Sequence, residues 1–402
     1  MRLKLTTFIT VNIFILSLFL FSTNKCMSQE NQLNNSLNSI ISKYMDKNKV
    51  AGLSVCVIKN ESIFWSNSYG YTNIGKSIPM SVDAIMNIAS ISKTITAMAV
   101  LQLWERGQLD LDADINKYLA FKVRNPNFPE TPITIRQLLT HTSSINDSKA
   151  YYESYACGDP VIDLPDWIKS YFESSGKYYD EKNNFHSWKP GEGYKYSNVA
   201  FGLLGFIIEE ITRQPFSEYC EINIISPLGM NNSAWFIKDI DTLKQAKQYV
   251  KANRRNKKSE WISKLNSLQT DDYIQLCNYS FYNYPDGLFK TSVKELSYFL
   301  RAIMNQGAYN GERVLKKTTV SEMLSLQLED NDRQGLCWKK AKHEPLWGHS
   351  GSDPGIQTRM CFNPQTKVGI ILFQNSGSGN AYKLVKDIYS LIVDNKINSH
   401  LK

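Results

Sequence analysis

The stretch Met86-Asn87-Ile88-Ala89-Ser90-Ile91-Ser92-Lys93, continuing through Ala97, Val100, Leu101 and Leu103, constrains this chain more than any other. It reads as the opening of a helix that runs to about Gly107 and is apolar around most of its circumference. Such a helix has to be enclosed by other elements. Ser90 and Lys93 are three apart at its start, so they share one face. A serine there has a free backbone N–H and the positive end of the helix dipole, and both favour developing negative charge. A lysine one turn on can take the serine's proton, or hold another base beside it, if its own pKa is lowered. The spacing alone is weak evidence. Ser22/Lys25, Ser174/Lys177 and Ser399/Lys402 repeat it, in an export-like leader, a Ser-Ser-Gly loop and the chain end. The plainer alternative at Ser90 is a helix N-cap, with Lys93 solvated in the first turn.

Around this helix the pattern changes character along the chain. Ser36 to Met45 is an amphipathic helix pattern. Gly52–Ile58 and Ser62–Tyr69 alternate like strands, with Lys59-Asn60-Glu61 as the hairpin between them. Ile133–Thr140, Val199–Thr212, Val293–Asn305 and Thr318–Leu328 are helical, and Asp241–Leu268 is polar and helical in part. Residues 146–195 read as loop and short helix, a length at which loops are often functional. Strand patterns return at Gly335–Lys339, Ile356–Phe362 and Val368–Phe373, and a last helix spans Tyr382–Val393. Strands at both ends with helices between predict an α+β fold: one antiparallel sheet built from the two chain ends and flanked by helices, with a helical lobe inserted. The sheet lobe is expected at about 34–80 and 330–396, and the helical lobe at about 81–329. A cleft between them is the natural place for a site.

The length of 402 residues is more than one core usually needs, so one large two-lobed domain or two domains is the starting expectation. With 42% hydrophobic and 21% charged residues the composition is globular. Residues 1–28 look like a signal peptide: Arg2 and Lys4, then an apolar run from Phe8 to Phe21, then Cys26-Met27-Ser28 before a cut at Gln29. The run is short against the roughly 20 residues a spanning helix needs, so an uncleaved membrane anchor is the lesser alternative. Removing the leader takes Arg2, Lys4 and Lys25 with it and shrinks the formal charge of +8. The basic run Lys251–Lys258 has no nucleic-acid signature beside it and reads as a solvated face. The remaining cysteines are scattered. Cys56, Cys337 and Cys361 lie in strand-like apolar runs and read as buried thiols, although an exported chain can oxidise its cysteines. The five histidines lack zinc-ligand spacing, and neither a metal nor a cofactor is expected.

Three more segments carry chemistry. Pro190-Gly191-Glu192-Gly193-Tyr194-Lys195-Tyr196-Ser197-Asn198 is a glycine-rich turn entering a helix, and it offers Tyr196 and Asn198. Leu346 to Gly355 holds Gly348-His349-Ser350-Gly351-Ser352 at the edge of the C-terminal strands. Gln137 to Ser144 closes another helix, where His141 reads as a packed structural residue. Taken in order, Ser90-Ile91-Ser92-Lys93, Tyr196-Ser197-Asn198 and His349-Ser350-Gly351 resemble the three motifs of one family. It comprises the serine hydrolases that include class C β-lactamases, low-molecular-weight penicillin-binding proteins, D-aminopeptidases and related esterases. The resemblance spans about residues 36–395. Leu138-Leu139-Thr140-His141-Thr142-Ser143, Pro227-Leu228-Gly229-Met230, Gly287-Leu288 and Asp353-Pro354-Gly355 support it as flanks.

The resemblance implies a β-lactamase/transpeptidase-like fold and an acyl-enzyme on Ser90. Lys93 and Tyr196 would share the proton work as a coupled pair, with a positive Lys93 favouring the tyrosinate and burial favouring a neutral lysine. Asn198 would hold Lys93 and the substrate amide, and the backbone N–H groups of Ser90 and Ser352 would form the oxyanion hole. Gly351, without a side chain, would let substrate lie against its strand. His349 stands where strong β-lactamases of this class carry lysine, and is a weaker, pH-dependent cation. Ser144 and Asp286 stand where the family often has glycine. The expected partner is a small-molecule or peptide substrate, of cell-wall type, with no nucleic acid. The alternative is a penicillin-binding sensor of the same fold that acylates without turnover. The expected location is the periplasm or the outside of a bacterial cell, with any membrane contact through the N-terminal segment alone.

Overall fold

A computed structural model describes residues 31–394; the leader assigned to residues 1–28 lies outside them. The larger of two compact units covers residues 49–381. Its main sheet is antiparallel and draws on both chain ends. The N-terminal strands are β1 (Gly52–Lys59), β2 (Ser62–Asn73) and β3 (Ile78–Pro79). The C-terminal strands are β4 (Lys339–Lys340), β5 (Trp347–Asp353), β6 (Ile356–Asn363) and β7 (Val368–Gln374). In space they run β4-β5-β6-β7-β1-β2-β3, so the two ends of the unit meet where Leu53 faces Gln374 and Lys59 faces Val368. β7 is buried along its whole length and β1 along nearly all of it, as central strands with two covered faces should be. β6 alternates, and Thr358, Met360 and Phe362 turn inward.

The helices follow from their apolar stripes and caps. Helix α1 (Ser92–Glu105) is buried from Ser92 to Leu103. Helix α2 (Ile135–Thr140) begins in a capping box, in which Thr134 and Gln137 each bond the other's backbone. Helix α3 (Val199–Thr212) has the bounds its sequence pattern gave, and is buried from Val199 to Ile208. Helix α4 (Val293–Met304) is capped by Ser292, whose Oγ accepts from Glu295 N at 3.1 Å. It packs its Leu296, Phe299, Leu300 and Ile303 face against β1 and β7. Ser292 is thus a helix cap, as its place before a helix suggests.

Three expectations need correction. The strand expected over Gly335–Lys339 shrinks to β4, while the polar stretch at 347–353 is itself a full strand. The segment 241–268 is less helical than its polarity suggested. Gln248–Lys251, Asn266–Gln269 and Tyr273–Leu276 form a separate three-stranded sheet, with only the short helices Arg254–Lys257 and Glu260–Leu265 between. Met86–Asn87 is also not helix; it pairs with Lys290–Thr291 before the chain turns into α1. Of the described residues, the second unit joins 31–48 to 382–394. Within it, helix 31–48 buries Leu33, Leu37 and Ile41, and the helix Ala381–Asp394 buries Leu384, Val385, Ile388 and Ile392.

Cys157 and Cys277 form a disulfide that spans 120 residues of sequence, whereas Cys56, Cys220, Cys337 and Cys361 are free thiols. It reinforces the two-residue ladder of Ala156–Cys157 on Tyr279–Ser280. Closing so long a loop restricts the unfolded chain strongly, so C157S is expected to lose about 2–4 kcal/mol of stability. Urea unfolding of wild type with and without reductant checks this: the reduced protein should match C157S.

Candidate active site

Ser90 does not cap α1. It lies one turn earlier, in a 3-10 turn, Ala89–Ile91, that precedes the helix. Ala89 takes φ +48°, a conformation that costs a non-glycine residue about 1–2 kcal/mol. That backbone is held from two sides. Ala89 N–H donates to Asn87 Oδ1 at 2.8 Å, and Ser92 Oγ donates to Ala89 O at 2.6 Å while accepting from Phe289 N–H at 3.0 Å. β5 then closes against the turn. A Cβ at Gly351 would stand 2.2 Å from Ile88 O and 2.2 Å from Thr358 Oγ1. The absence of a side chain at Gly351 therefore admits the Ser90 turn.

Lys93 is fully buried, not solvated. Its Nζ lies within hydrogen-bond distance of four oxygens: Asn198 Oδ1 at 2.7 Å, Asp286 O at 2.8 Å, Asp286 Oδ2 at 3.2 Å and Ser90 Oγ at 3.1 Å. It also stands 5.0 Å from the Tyr196 ring centre and 5.6 Å from that of Phe201. Burial pulls the lysine toward its neutral form, but Tyr196 and the Asp286 carboxylate outweigh this and raise its pKa. Burial alone is thus a poor guide to this lysine, because the sequence does not reveal its anionic partner. The Tyr196 hydroxyl is shut off from solvent and makes no well-formed hydrogen bond, although it lies near enough to Lys93 and Ser90 to feel both. Burial pushes its phenol up, and Lys93 opposes that shift.

Asn198 enters α3, and the residue that fixes it is Asp147. The Asp147 carboxylate accepts from Ser197 Oγ at 3.0 Å, Asn198 N–H at 2.8 Å, Val199 N–H at 2.9 Å and Asn198 Nδ2 at 2.8 Å. Because the amide nitrogen is turned to Asp147, the amide oxygen must face Lys93. His141 buttresses the same loop. Its Nδ1 accepts from Ser197 N–H at 3.2 Å, its carbonyl accepts from Lys195 N–H at 2.9 Å, and its ring lies 4.3 Å from that of Tyr196. Ser144 holds φ +62°, so it keeps the loop shape a glycine would give, with its Oγ accepting from Asn125 Nδ2 at 2.9 Å.

Asp286 arrives on the turn Asn283–Gly287, which presses into α3 at Gly202. A Cβ there would overlap Asn283 Oδ1 at 1.8 Å. Asn283 receives Trp167 Nε1–H at 2.9 Å and donates to Asn198 O at 2.9 Å and Asp286 Oδ1 at 2.8 Å. Thr96 Oγ1 ties the turn to α1 through Pro285 O at 2.6 Å. Burial raises the Asp286 carboxyl to about 6, against the pull of Lys93. Sequence reasoning noted Asp286 only as a departure from glycine and did not single out Asp147. A charged residue where the resembled family often has glycine was the available signal for the former.

A cavity of about 320 Å³ opens onto Ser90, Tyr196, Asn198, Asp286 and Ser352. Tyr151, Tyr152, Tyr155, Trp261 and Phe281 wall it, with Tyr155 in ring contact with Trp261 at 5.2 Å and Phe281 at 4.6 Å. His349 is buried on β5. Its Nδ1–H donates to Ser350 O at 2.9 Å, leaving Nε2 buried without a partner. Burial, with Lys93 and Lys339 nearby, depresses its pKa to about 3, so His349 is neutral and not the pH-dependent cation its place in the motif suggested.

Two outcomes follow from these contacts. D147A strips an acceptor from the entry of α3 and should cost about 1–3 kcal/mol, with D147N in between; urea unfolding and the labelling of Ser90 by an acylating probe measure both effects. An unfolded histidine binds a proton near pH 6.5, while folded His349 resists until about 3. The unfolded state therefore binds more protons in that window, and stability falls as pH drops through it. The melting temperature of H349Q should decline less than that of wild type between pH 7 and pH 4.

Comparison with known proteins agrees with this geometry. The profile of the Beta-lactamase family matches residues 37–394. Protein flp of Staphylococcus aureus (strain MRSA252) is 26% identical over 369 residues, covering 91% of this chain and 68% of that protein. Penicillin-binding protein 4* of Bacillus subtilis (strain 168) is 21% identical over 350 residues, covering 82% of this chain and 69% of its own. The D-amino acid amidase of Ochrobactrum anthropi SV3 has the same fold, with a TM-score of 0.72 at 20% identity over 90% of this chain and 99% of that one. The chain belongs to the Beta-lactamase family and has the β-lactamase/transpeptidase-like α+β fold of its serine hydrolases.

Proposed function

We propose that this chain is an exported serine hydrolase that forms an acyl-enzyme through Ser90 on an amide or ester. D-amino-acid peptides of cell-wall type come first among its substrates, small esters second and β-lactams third. One observation carries the reading. Ser90 and Tyr196 line one cavity, with the buried Lys93 Nζ 3.1 Å behind Ser90 Oγ and the Tyr196 hydroxyl without a partner. A nucleophile within reach of a proton-handling pair, at a pocket sized for a small ligand, is the arrangement acyl transfer needs.

In this reading Ser90 Oγ attacks the substrate carbonyl as its proton leaves to the Lys93–Tyr196 pair. The same proton then goes to the departing amine or alcohol, and water releases the acyl group. The backbone N–H groups of Ser90 and Ser352 receive the oxyanion, a contribution of about 3–4 kcal/mol per donor where such groups have been removed. Asn198 holds Lys93 through Oδ1 and is itself held by Asp147, which leaves its second N–H for the substrate. The aromatic wall suits an apolar side chain next to the scissile bond. The solved structure of the Ochrobactrum amidase with D-phenylalanine supports that preference. β-Lactams come last because neutral His349 offers no charge to their carboxylate. Export rests on the pattern of residues 1–28 and on the Cys157–Cys277 disulfide, a bond that persists outside the cytoplasm. Among the described residues no helix is long and apolar enough to cross a membrane.

The test is mass spectrometry after brief exposure to a fluorescent penicillin, with wild type beside S90A and K93A. A single adduct on the Ser90 peptide, absent from S90A, is expected. Its rate of decay then separates a hydrolase from a penicillin-binding sensor. An adduct that persists in S90A would remove Ser90 from the mechanism.

A further inference from the structure

We propose that Asp286 is a positioning residue that keeps Lys93 an ammonium ion, so that the proton of Ser90 leaves to Tyr196 and not to the lysine. The argument begins with hydrogen count. Three oxygens that cannot donate surround Lys93 Nζ: Asn198 Oδ1 at 2.7 Å, Asp286 O at 2.8 Å and Asp286 Oδ2 at 3.2 Å. An ammonium has three hydrogens and satisfies all of them. A neutral amine has two, so one buried oxygen would lose its partner and the nitrogen lone pair would point at oxygen. The Lys93 and Asp286 side chains are 0% and 2% exposed, so no solvent intervenes.

A second buried lysine in the same chain supplies the contrast. Lys290 Nζ donates to two backbone carbonyls, Trp235 O at 2.8 Å and Leu288 O at 3.0 Å, and no carboxylate pairs with it directly. Burial there lowers the lysine to about 8, with Asp159 and Asp239 opposing from farther away. Lys93 is equally buried, yet its pKa is raised. The difference in contacts is Tyr196, followed by the Asp286 carboxylate. The resembled family often has glycine at this position, a residue that brings no carboxylate.

The groups that face this pair have to be counted together. Toward Lys93 stand Tyr196, Asp286, His349, His141 and Cys337. Toward Asp286 stand Lys93, Tyr151 (Oη donating at 3.1 Å), Asn283, Asp147, Tyr155 and Asp353. Burial raises Asp353 to about 8, so it carries little charge at neutral pH and does not replace Asp286. Lys93 as an ammonium has no lone pair. Burial favours the Tyr196 phenol and the Lys93 charge opposes it, so the acceptor is the fraction of Tyr196 that has already given its proton to solvent. The proton lost when the Ser90 Oγ–carbon bond forms passes to that phenolate oxygen and returns from it to the leaving group. This catalytic consequence rests on the Ser90 reading above; the charge on Lys93 does not.

The experiment follows the lysine directly, by NMR of the full chain with ¹³C at lysine Cε, assigned through K93R. In wild type the Lys93 signal should not titrate below about pH 10, while Lys290 serves as the internal reference. In D286N the Lys93 midpoint should drop by about two units or more. D286G, which installs the residue expected at this position, removes the carboxylate in a second way. The rate of Ser90 acylation should fall on the order of 10-fold or more at pH 7 in both variants, and gain a pH step at the new Lys93 midpoint. A wild-type Lys93 that titrates below pH 9, or a midpoint unchanged in either variant, overturns the proposal. The expected shift without acylation of Ser90 in wild type would sustain the charge assignment and overturn the Ser90 reading alone.

Discussion

A lysine ammonium enclosed on every side is the demand that the rest of the larger unit answers. Transferring such a charge out of water is costly unless charge and hydrogen bonds are both supplied. Here three chain segments far apart in sequence supply them: the 3-10 turn before α1, the loop entering α3, and the turn at 283–287. None of the three can be displaced without leaving another's polar atoms unpaired. Asn283 shows how closely the network is drawn, since it bonds Trp167, Asn198 and Asp286 at once while being fully buried. Networks of this kind favour one arrangement because every alternative leaves a buried group unsatisfied.

Small residues permit the close approaches that the network needs. Gly202 gives up a side chain so that the 283–287 turn can enter α3, and Gly351 does so for the strand that closes over Ser90. On the far side of the Tyr196 loop, His141 and Asp147 act as rigid supports, one through its ring and carbonyl and one through its carboxylate. The Tyr196 hydroxyl, like the Nε2 atoms of His141 and His349, is left without a partner beside many groups that are satisfied. An orphaned polar atom inside so complete a network is one that an incoming molecule can use.

Much of this was legible in the sequence, and what was not has identifiable causes. Val199–Thr212 was read to the residue because a long apolar helix announces itself by periodicity. Ser90, Lys93, Tyr196 and Asn198 were found because their motifs occur in order, and the structure brings all four to one place. The sheet at 248–276 is hard to read because its strands are four residues long and Asn266–Gln269 is exposed throughout, so only the short alternation of Tyr273–Leu276 marks it. Asp147 and Asp286 act over 51 and 193 positions of sequence, and no local pattern encodes such pairings. The charge of His349 could not be read from its identity, because it depends on how deeply β5 buries the ring.

The disulfide has a consequence for how the molecule matures. Cys157 lies two residues beyond Tyr155, and Cys277 four before Phe281, so the crosslink clamps the two segments that present the aromatic wall of the cavity. The buried charge cluster contains no cysteine and can form with all thiols reduced. With its thiols reduced, the chain would hold the Ser90–Lys93 cluster assembled but the aromatic wall unfastened. If the chain is exported, as proposed above, the wall would be fixed last, on oxidation.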